Sequence, residues 1–167
     1  MIAEIGHFAL ILALVLSVVQ CVLPLVGAAR GIGSWMALAR TAAYANALFL
    51  TISFGTLAYS FYISDFTLLN VASNSNSLLP WFYKVAASWG SHEGSILFWA
   101  LMLTWWGFLV ALTSRKLPQE TVARVLGVMG FITAGFVAFM LFTSNPFLRL
   151  FPAAPEGADL NPLLQDP

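Results

Sequence analysis

Four stretches of this chain run for about 20 residues with no ionisable side chain near their centres, and that length constrains the fold more than any other feature. The hydrocarbon core of a bilayer is about 30 Å thick and a helix rises about 1.5 Å per residue, so each run is long enough to cross. The runs are Gly6–Gly27, Thr41–Ile63, Ser95–Thr113 and Val122–Thr143. Backbone groups inside hydrocarbon must satisfy one another, and the runs lack period-2 alternation, so they predict helices and not barrel strands. Composition agrees: 60% of residues are hydrophobic and 8% charged, where a soluble domain carries about 25% charged residues. The expectation is an all-α integral membrane protein with four transmembrane helices forming a single membrane segment. The first run lacks the basic leader of a signal peptide, its earliest charge being Glu4, and exceeds the apolar core of about 7–15 residues that such peptides carry. It is expected to be a retained span.

The few charges sort by side. Seven basic residues balance seven acidic ones, which leaves no basic field for nucleic acid. Arg30 and Arg40 lie in the first connection, and Arg115, Lys116 and Arg124 at or near the third; the second holds only Lys84 and the tail only Arg149. The positive-inside rule makes the first and third connections cytoplasmic. The N-terminus, the connection 64–94 and the tail 144–167 then face outward, with six of the seven acids (Glu4, Asp65, Glu93, Glu156, Asp159 and Asp166) on that side. The single cysteine, Cys21, rules out an internal disulfide or a multi-cysteine metal centre and reads as an inert thiol within the first span.

Within the spans the polar residues are Gln20, Asn46, Ser53, Thr56, Thr104 and Thr133. Carriers of protons or charged solutes place ionisable groups in the membrane, so this pattern argues against a transport path. Gln20 and Asn46 are expected to hydrogen-bond between helices. Gly127, Gly130, Ala134 and Ala138 form a small-residue face suited to a closely packed helix, from this chain or another.

The connection Ser64–Gly94, about 31 residues long, exceeds ordinary loop length and suggests structure of its own. Asp65–Leu79 reads as a polar connection. Pro80 suits a first helical position and Gly90 a terminator. Between them Trp81, Phe82, Val85 and Trp89 share one side and Lys84 and Ser88 the other, predicting a short amphipathic helix in the outer interface. The aromatic edge has two readings: an ordinary interfacial belt, or a platform for a flat apolar ligand such as a porphyrin. Trp89, His92, Glu93 and Trp99 lie in the run WGSHEGSILFW, where Gly90 and Gly94 suggest a sharp backbone turn. Imidazole is the commonest protein ligand for haem iron, which makes His92 a candidate ligand with Glu93 as its hydrogen-bond partner; a solvated histidine is the competing reading. Ser91, His92 and Glu93 are sequence neighbours whose side chains diverge, so they do not predict a proton relay. Nothing in the sequence suggests a phosphate loop or a carboxylate metal site.

Taken with WGSHEGSILFW, the segments DFTLLNVASNSNSLLPWFYKVAASWG, RVLGVMGFI, FTSNPF and DLNPLLQDP occur in an order that resembles the N-terminal part of the CcmF/NrfE family of cytochrome c-type biogenesis proteins. The resemblance implies a multi-pass protein of the bacterial inner membrane acting as a haem lyase subunit. Such a subunit takes haem from a periplasmic haem chaperone and helps attach it to an apocytochrome. Its implied partners are the remainder of the haem lyase, the haem chaperone, and apocytochrome-holding and thioredoxin-like proteins, besides membrane lipid. It also implies that this chain is the N-terminal portion of a longer protein, and that the family's b-type haem ligands lie past residue 167. His92, Glu93 and Trp89 match a family signature without thereby acquiring a role. Trp81, Gly90, Gly94, Trp99, Gly127 and Gly130 are expected to be structural or to face partners. The alternative function is a membrane scaffold or assembly subunit without cofactor contact.

Overall fold

The structure, a computed structural model, describes residues 1–158; the DLNPLLQDP segment, at 159–167, lies outside the described residues. Six helices follow in order: α1 (Ile2–Arg30), α2 (Gly33–Tyr62), α3 (Leu69–Asn74), α4 (Trp81–Gly90), α5 (His92–Thr113) and α6 (Gln119–Phe142), with one 3₁₀ turn at Ser114–Lys116. α1, α2, α5 with its 3₁₀ turn, and α6 are the four helices long and apolar enough to cross a membrane.

Each long helix begins before its apolar run or ends after it, because hydropathy marks the hydrocarbon and hydrogen bonding continues beyond it. The effect is largest between α1 and α2. The connection expected to hold Arg30 and Arg40 shrinks to Gly31–Ile32, with Arg30 ending α1 and Arg40 inside α2. Gly31 adopts φ +70° and ψ 24° and directs its N–H to the Gly27 carbonyl, the left-handed cap that glycine tolerates best. Arg40 reaches across the helix ends and donates to the Ser114 carbonyl at 2.9 Å.

Between helices in lipid there is little hydrophobic driving force, so association depends on close packing and on interhelical hydrogen bonds. α1 lies against α2 and α6, and α5 packs on the other side of both. A Cβ at Gly127 would stand 2.7 Å from Leu25 Cγ, and one at Gly130 would stand 3.0 Å from the Cys21 nitrogen. The small-residue face therefore finds its partner within this chain, on α1. At the same level Asn46 donates to Gln20 Oε1 at 2.8 Å, and Gln20 Nε2 donates to the Leu126 carbonyl at 2.8 Å. Two amides thus join three helices. Elsewhere in the bundle Leu10, Ala13, Leu50, Leu57, Leu97, Val137 and Met140 are buried in one core, while Phe8, Val15, Trp106 and Phe131 are exposed outward, where lipid would cover them.

The connection 64–94 is mostly helical. Its first half, expected to be an irregular polar connection, contains α3, in which Asn70, Val71 and Ala72 are buried. α4 covers the predicted amphipathic helix, with Pro80 at the N-cap instead of the first helical position and Gly90 as the last residue. The sharp turn lies at Ser91, extended at φ −86° and ψ 157°, whose Oγ accepts from the Gly94 N–H at 3.0 Å. Gly94 is helical, correcting the expectation of a turn there. It is needed for a different reason: a Cβ would meet the Ser88 carbonyl oxygen at 1.7 Å.

Candidate functional site

The ends of α2 and α6 and the starts of α1 and α5 gather at one end of the bundle, where the long connection also lies. The segment after α6 was expected to be a tail, but its described part, residues 144–158, folds back to complete a cap. Phe147, 5% exposed, is seated where Gly6 leaves room: a Cβ on Gly6 would come within 2.2 Å of Thr56 Oγ1 and 2.5 Å of the Phe147 ring. Main-chain bonds join the two layers, from Leu69 N–H to the Leu148 carbonyl (2.9 Å) and from Leu150 N–H to the Thr67 carbonyl (2.8 Å).

Charged groups tie the same layers. Arg149 donates to Glu4 and to the Thr67 hydroxyl and lies 3.8 Å from Asp65 Oδ2. Glu156 accepts from the Ser77 N–H at 2.9 Å and from its hydroxyl at 2.7 Å, and these bonds hold the Glu156 carboxyl below the usual carboxylate range. Lys84 Nζ donates to Ser64 Oγ at 2.8 Å, anchoring α4 to the end of α2.

Three cavities open around this cap. The first, about 300 Å³, is bordered by α1 and the segment after α6, with His7, Phe8, Phe147 and Arg149 in its walls. The second, about 210 Å³, is polar and lined by Asn70, Ser73, Asn74, Glu93 and Thr143–Asn145, with Leu69 and Leu148. The third is a shallow apolar groove of about 460 Å³ between α5 and α6, with His92 beside Ile96, Ile132, Gly135, Phe136 and Phe139.

The candidate residues separate over these surfaces. His92 is exposed at the start of α5, with Nδ1 3.1 Å from Ser144 Oγ and its ring edge-on to Phe139 at 6.5 Å. Glu93, the next residue and so about 100° around the helix, faces the polar cavity instead. The Trp89 ring lies 6.2 Å from Phe98, which in turn contacts Phe54 of α2. His92, Glu93 and Trp89 therefore do not converge on one ligand. Trp81 (65% exposed) and Trp99 (68% exposed) point away from the core. Ser91 is occupied as a helix cap, so the Ser-His-Glu run forms no relay.

The two histidines also diverge. His7 stands 3.4 Å from Asn145 Nδ2 and is edge-on to Phe147, in a different cavity from His92. Nor does any group of three His, Cys, Asp or Glu side chains among the described residues lie close enough to hold a metal ion. These residues do not fit a haem ligated on both faces from within the chain. They offer at most one imidazole, His92, whose Nδ1 is engaged by Ser144 and whose groove is apolar; an engaged second nitrogen is what orients a ligating histidine. Ser144, Asn145 and Phe147, noted only within the FTSNPF motif, and Arg149, noted only as the basic residue of the tail, organise the cap although none was a candidate site residue. The Asn145-Pro146 pair signals a turn, but nothing local showed that the segment after it returns to α1 and α3.

A family model for cytochrome C assembly proteins matches residues 89–167, beginning at Trp89. The cytochrome c-type biogenesis protein CcmF of Pseudomonas aeruginosa is 58% identical over 99% of this chain and 25% of its own length. CcmF of Escherichia coli is 49% identical over 100% of this chain and 26% of its length. A solved structure of the cytochrome c haem lyase CcmF superposes with a TM-score of 0.82 at 27% identity, covering 91% of this chain and 26% of that one. The chain thus spans about a quarter of the length of the relatives it matches. With four apolar helices in the described residues, it is a multi-pass membrane protein whose sequence and fold match, along nearly its whole length, about a quarter of the CcmF cytochrome c-type biogenesis proteins.

Proposed function

We propose that this chain is the N-terminal portion of a haem lyase in cytochrome c maturation. It would assist transfer of haem from a periplasmic haem chaperone and its covalent attachment to an apocytochrome. The observation that carries this reading is the 58% identity with a CcmF protein along 99% of the chain. The charge distribution supports an orientation in the bacterial inner membrane. Arg30, Arg40, Arg115, Lys116 and Arg124 cluster at the end opposite the cap, which by the positive-inside rule favours a cytoplasmic position for that end and a periplasmic one for the cap. α4, with Trp81 and Phe82 exposed, then lies at headgroup depth as an interfacial helix.

In this arrangement the chain supplies surfaces, and the chemistry of attachment belongs to haem and apocytochrome. The groove between α5 and α6 offers an apolar wall on which His92 presents its imidazole, Ser144 holding the ring. The remaining haem lyase would supply the further ligands and cover the exposed faces of α5 and α6. The haem chaperone, apocytochrome-holding and thioredoxin-like proteins would approach at the cap. A scaffold without cofactor contact is the second reading, supported by the divergence of His7, His92 and Glu93. Holocytochrome yield in cells carrying the full-length protein separates the two: His92→Ala is expected to lower yield well below His7→Ala. Equal yields from the two variants would reduce the groove to scaffold.

A further inference from the structure

The basic end carries a cavity of its own, about 270 Å³, between the start of α2 and the turn that joins α5 to α6. Arg40 and Arg115 line it together, and no acidic side chain does. Arg40 Nη2 donates to the Ser114 carbonyl at 2.9 Å, whereas its Nη1 stays accessible and makes no hydrogen bond within the described residues. Arg115 is exposed and has neither an ion pair nor a hydrogen bond there. Glu120, the acid closest to Arg115 along the chain, is held by Arg124 and does not line the cavity. Gln119 Nε2 donates to the Gly33 carbonyl at 3.0 Å and ties the start of α6 to the start of α2.

Each arginine has an ordinary reason to stand here alone. Basic side chains at a helix C-terminus offset the last carbonyls, as Arg40 does at Ser114. That role uses one nitrogen of Arg40 and does not explain why two guanidinium groups border one small space, where they repel each other unless an anion lies between them. The start of α6, whose N-cap Pro118 brings no side-chain cap, adds partial positive charge of the same sign. A metal cation or an amine is therefore disfavoured. The remaining walls, Met36, Ala37, Leu117 and Val122, are apolar, and Leu117 is 55% exposed. Because the cavity lies at the ends of membrane-spanning helices, it stands at the depth where lipid head groups meet water. A free anion satisfies the arginines only. An anion that carries apolar chains satisfies both kinds of wall, and basic pockets between membrane helices suit such head groups.

We propose that this cavity binds the phosphate of an anionic phospholipid, held between Arg40 Nη1 and the Arg115 guanidinium, with the upper part of the lipid's chains along Met36, Leu117 and Val122. The guanidinium fork matches phosphate oxygens, and phosphate is the anion that the bilayer itself presents at this depth. The inference stands on the cavity and on the membrane-spanning helices, and holds whether or not the chain serves haem attachment.

Native mass spectrometry of the protein released from a neutral detergent tests it with three probes. Phosphatidylglycerol carries an anionic phosphate and chains, phosphatidylcholine the same phosphate and chains with the charge offset by choline, and glycerol 3-phosphate the anion without chains. Phosphatidylglycerol is expected to bind about twentyfold more tightly than phosphatidylcholine, about fivefold from each arginine at a lipid head group. Glycerol 3-phosphate at equal concentration should not displace it. Arg115→Gln should weaken phosphatidylglycerol about fivefold. Lys116→Gln removes a neighbouring exposed charge that does not line the cavity and should leave the affinity unchanged. Arg40→Gln should weaken binding at least as much as Arg115→Gln; since Arg40 also holds Ser114, the Arg115 variant carries the test if Arg40→Gln misfolds. Equal affinities for the two lipids, or equal losses in Arg115→Gln and Lys116→Gln, would overturn the proposal in favour of diffuse surface charge. Displacement by glycerol 3-phosphate would overturn it in favour of a soluble phosphate ligand, and no retained phosphatidylglycerol would leave the cavity to water.

Discussion

The two ends of the bundle solve different problems. At the basic end the chain turns from α1 to α2 in two residues, Gly31–Ile32, and small side chains such as Ala28, Ala39, Ala43, Ala111 and Ala123 pack closely. At the cap end two helices and a returning segment are layered over the same four helices and wall two cavities, whereas the cavity of about 270 Å³ at the basic end lies between helix ends, beside Arg40 and Arg115. The basic end is economical, because a tight turn needs only one residue able to adopt a left-handed conformation. Holding a cavity open takes a framework, and the cap obtains one from the Arg149 ion pairs, the Ser91 cap and the Asn145 turn. The ends therefore differ in how their cavities are walled: by helix ends and basic side chains at one, by layered segments outside the spans at the other.

A glycine from each end gives the sharpest test of that contrast. Gly94→Ala at the cap end would force a Cβ into the Ser88 carbonyl, and is expected to cost about 3 kcal/mol, at the upper part of the overpacking range. Gly31→Ala meets no neighbour within 4 Å and is strained only by φ +70°, so about 1 kcal/mol is expected. Unfolding titrations of both variants in mixed micelles measure the two costs, and equal losses would remove the distinction. Arg149→Ala comes next. Arg149 is partly exposed, with a side chain 31% accessible, so its pairs are screened and a loss of about 1 kcal/mol is expected. The loss should appear as faster hydrogen exchange at the Leu69 and Leu150 amides, while amides around Gly31 are unchanged.

The smallest expected effect is a response to pH confined to the cap. Because Glu156 has a lowered pKa in the folded chain, its bond to Ser77 favours the folded cap above the ordinary carboxylate pKa. That contribution is lost as pH falls through the lowered folded value. Exchange at the Ser77 amide should accelerate over that acidic interval, and Ser77→Ala should reduce the acceleration at the neighbouring amides. A uniform change across both ends of the bundle would contradict a local origin.

Much of the bundle is legible from the chain because the bilayer sets the rules: a fixed thickness demands a fixed length, and an apolar solvent demands internal hydrogen bonding. That logic locates four helices and anticipates interhelical hydrogen bonding by Gln20 and Asn46, though not that they bond to each other. It also identifies the small-residue face of α6, though not α1 as its partner. It misjudges the helix ends near Arg40, since hydropathy marks where lipid stops and not where hydrogen bonding stops. At the candidate site His92, Glu93 and Trp89 stand together in sequence and apart in space, because consecutive helical residues are turned about 100° from one another.

The sequence by itself determined the membrane class, the four spans, the segregation of charge and, through its motifs, the resemblance to CcmF proteins. Only the tertiary structure decided that residues 144–158 return to cover α1 and α3, that His92 and Glu93 serve different cavities, and that Asn70 is buried without an acceptor. The physical reason is range. Length and hydropathy act within a segment and can be read along it, whereas a cavity is made by side chains as far apart as Asn70, Glu93 and Ser144, whose juxtaposition no local pattern records.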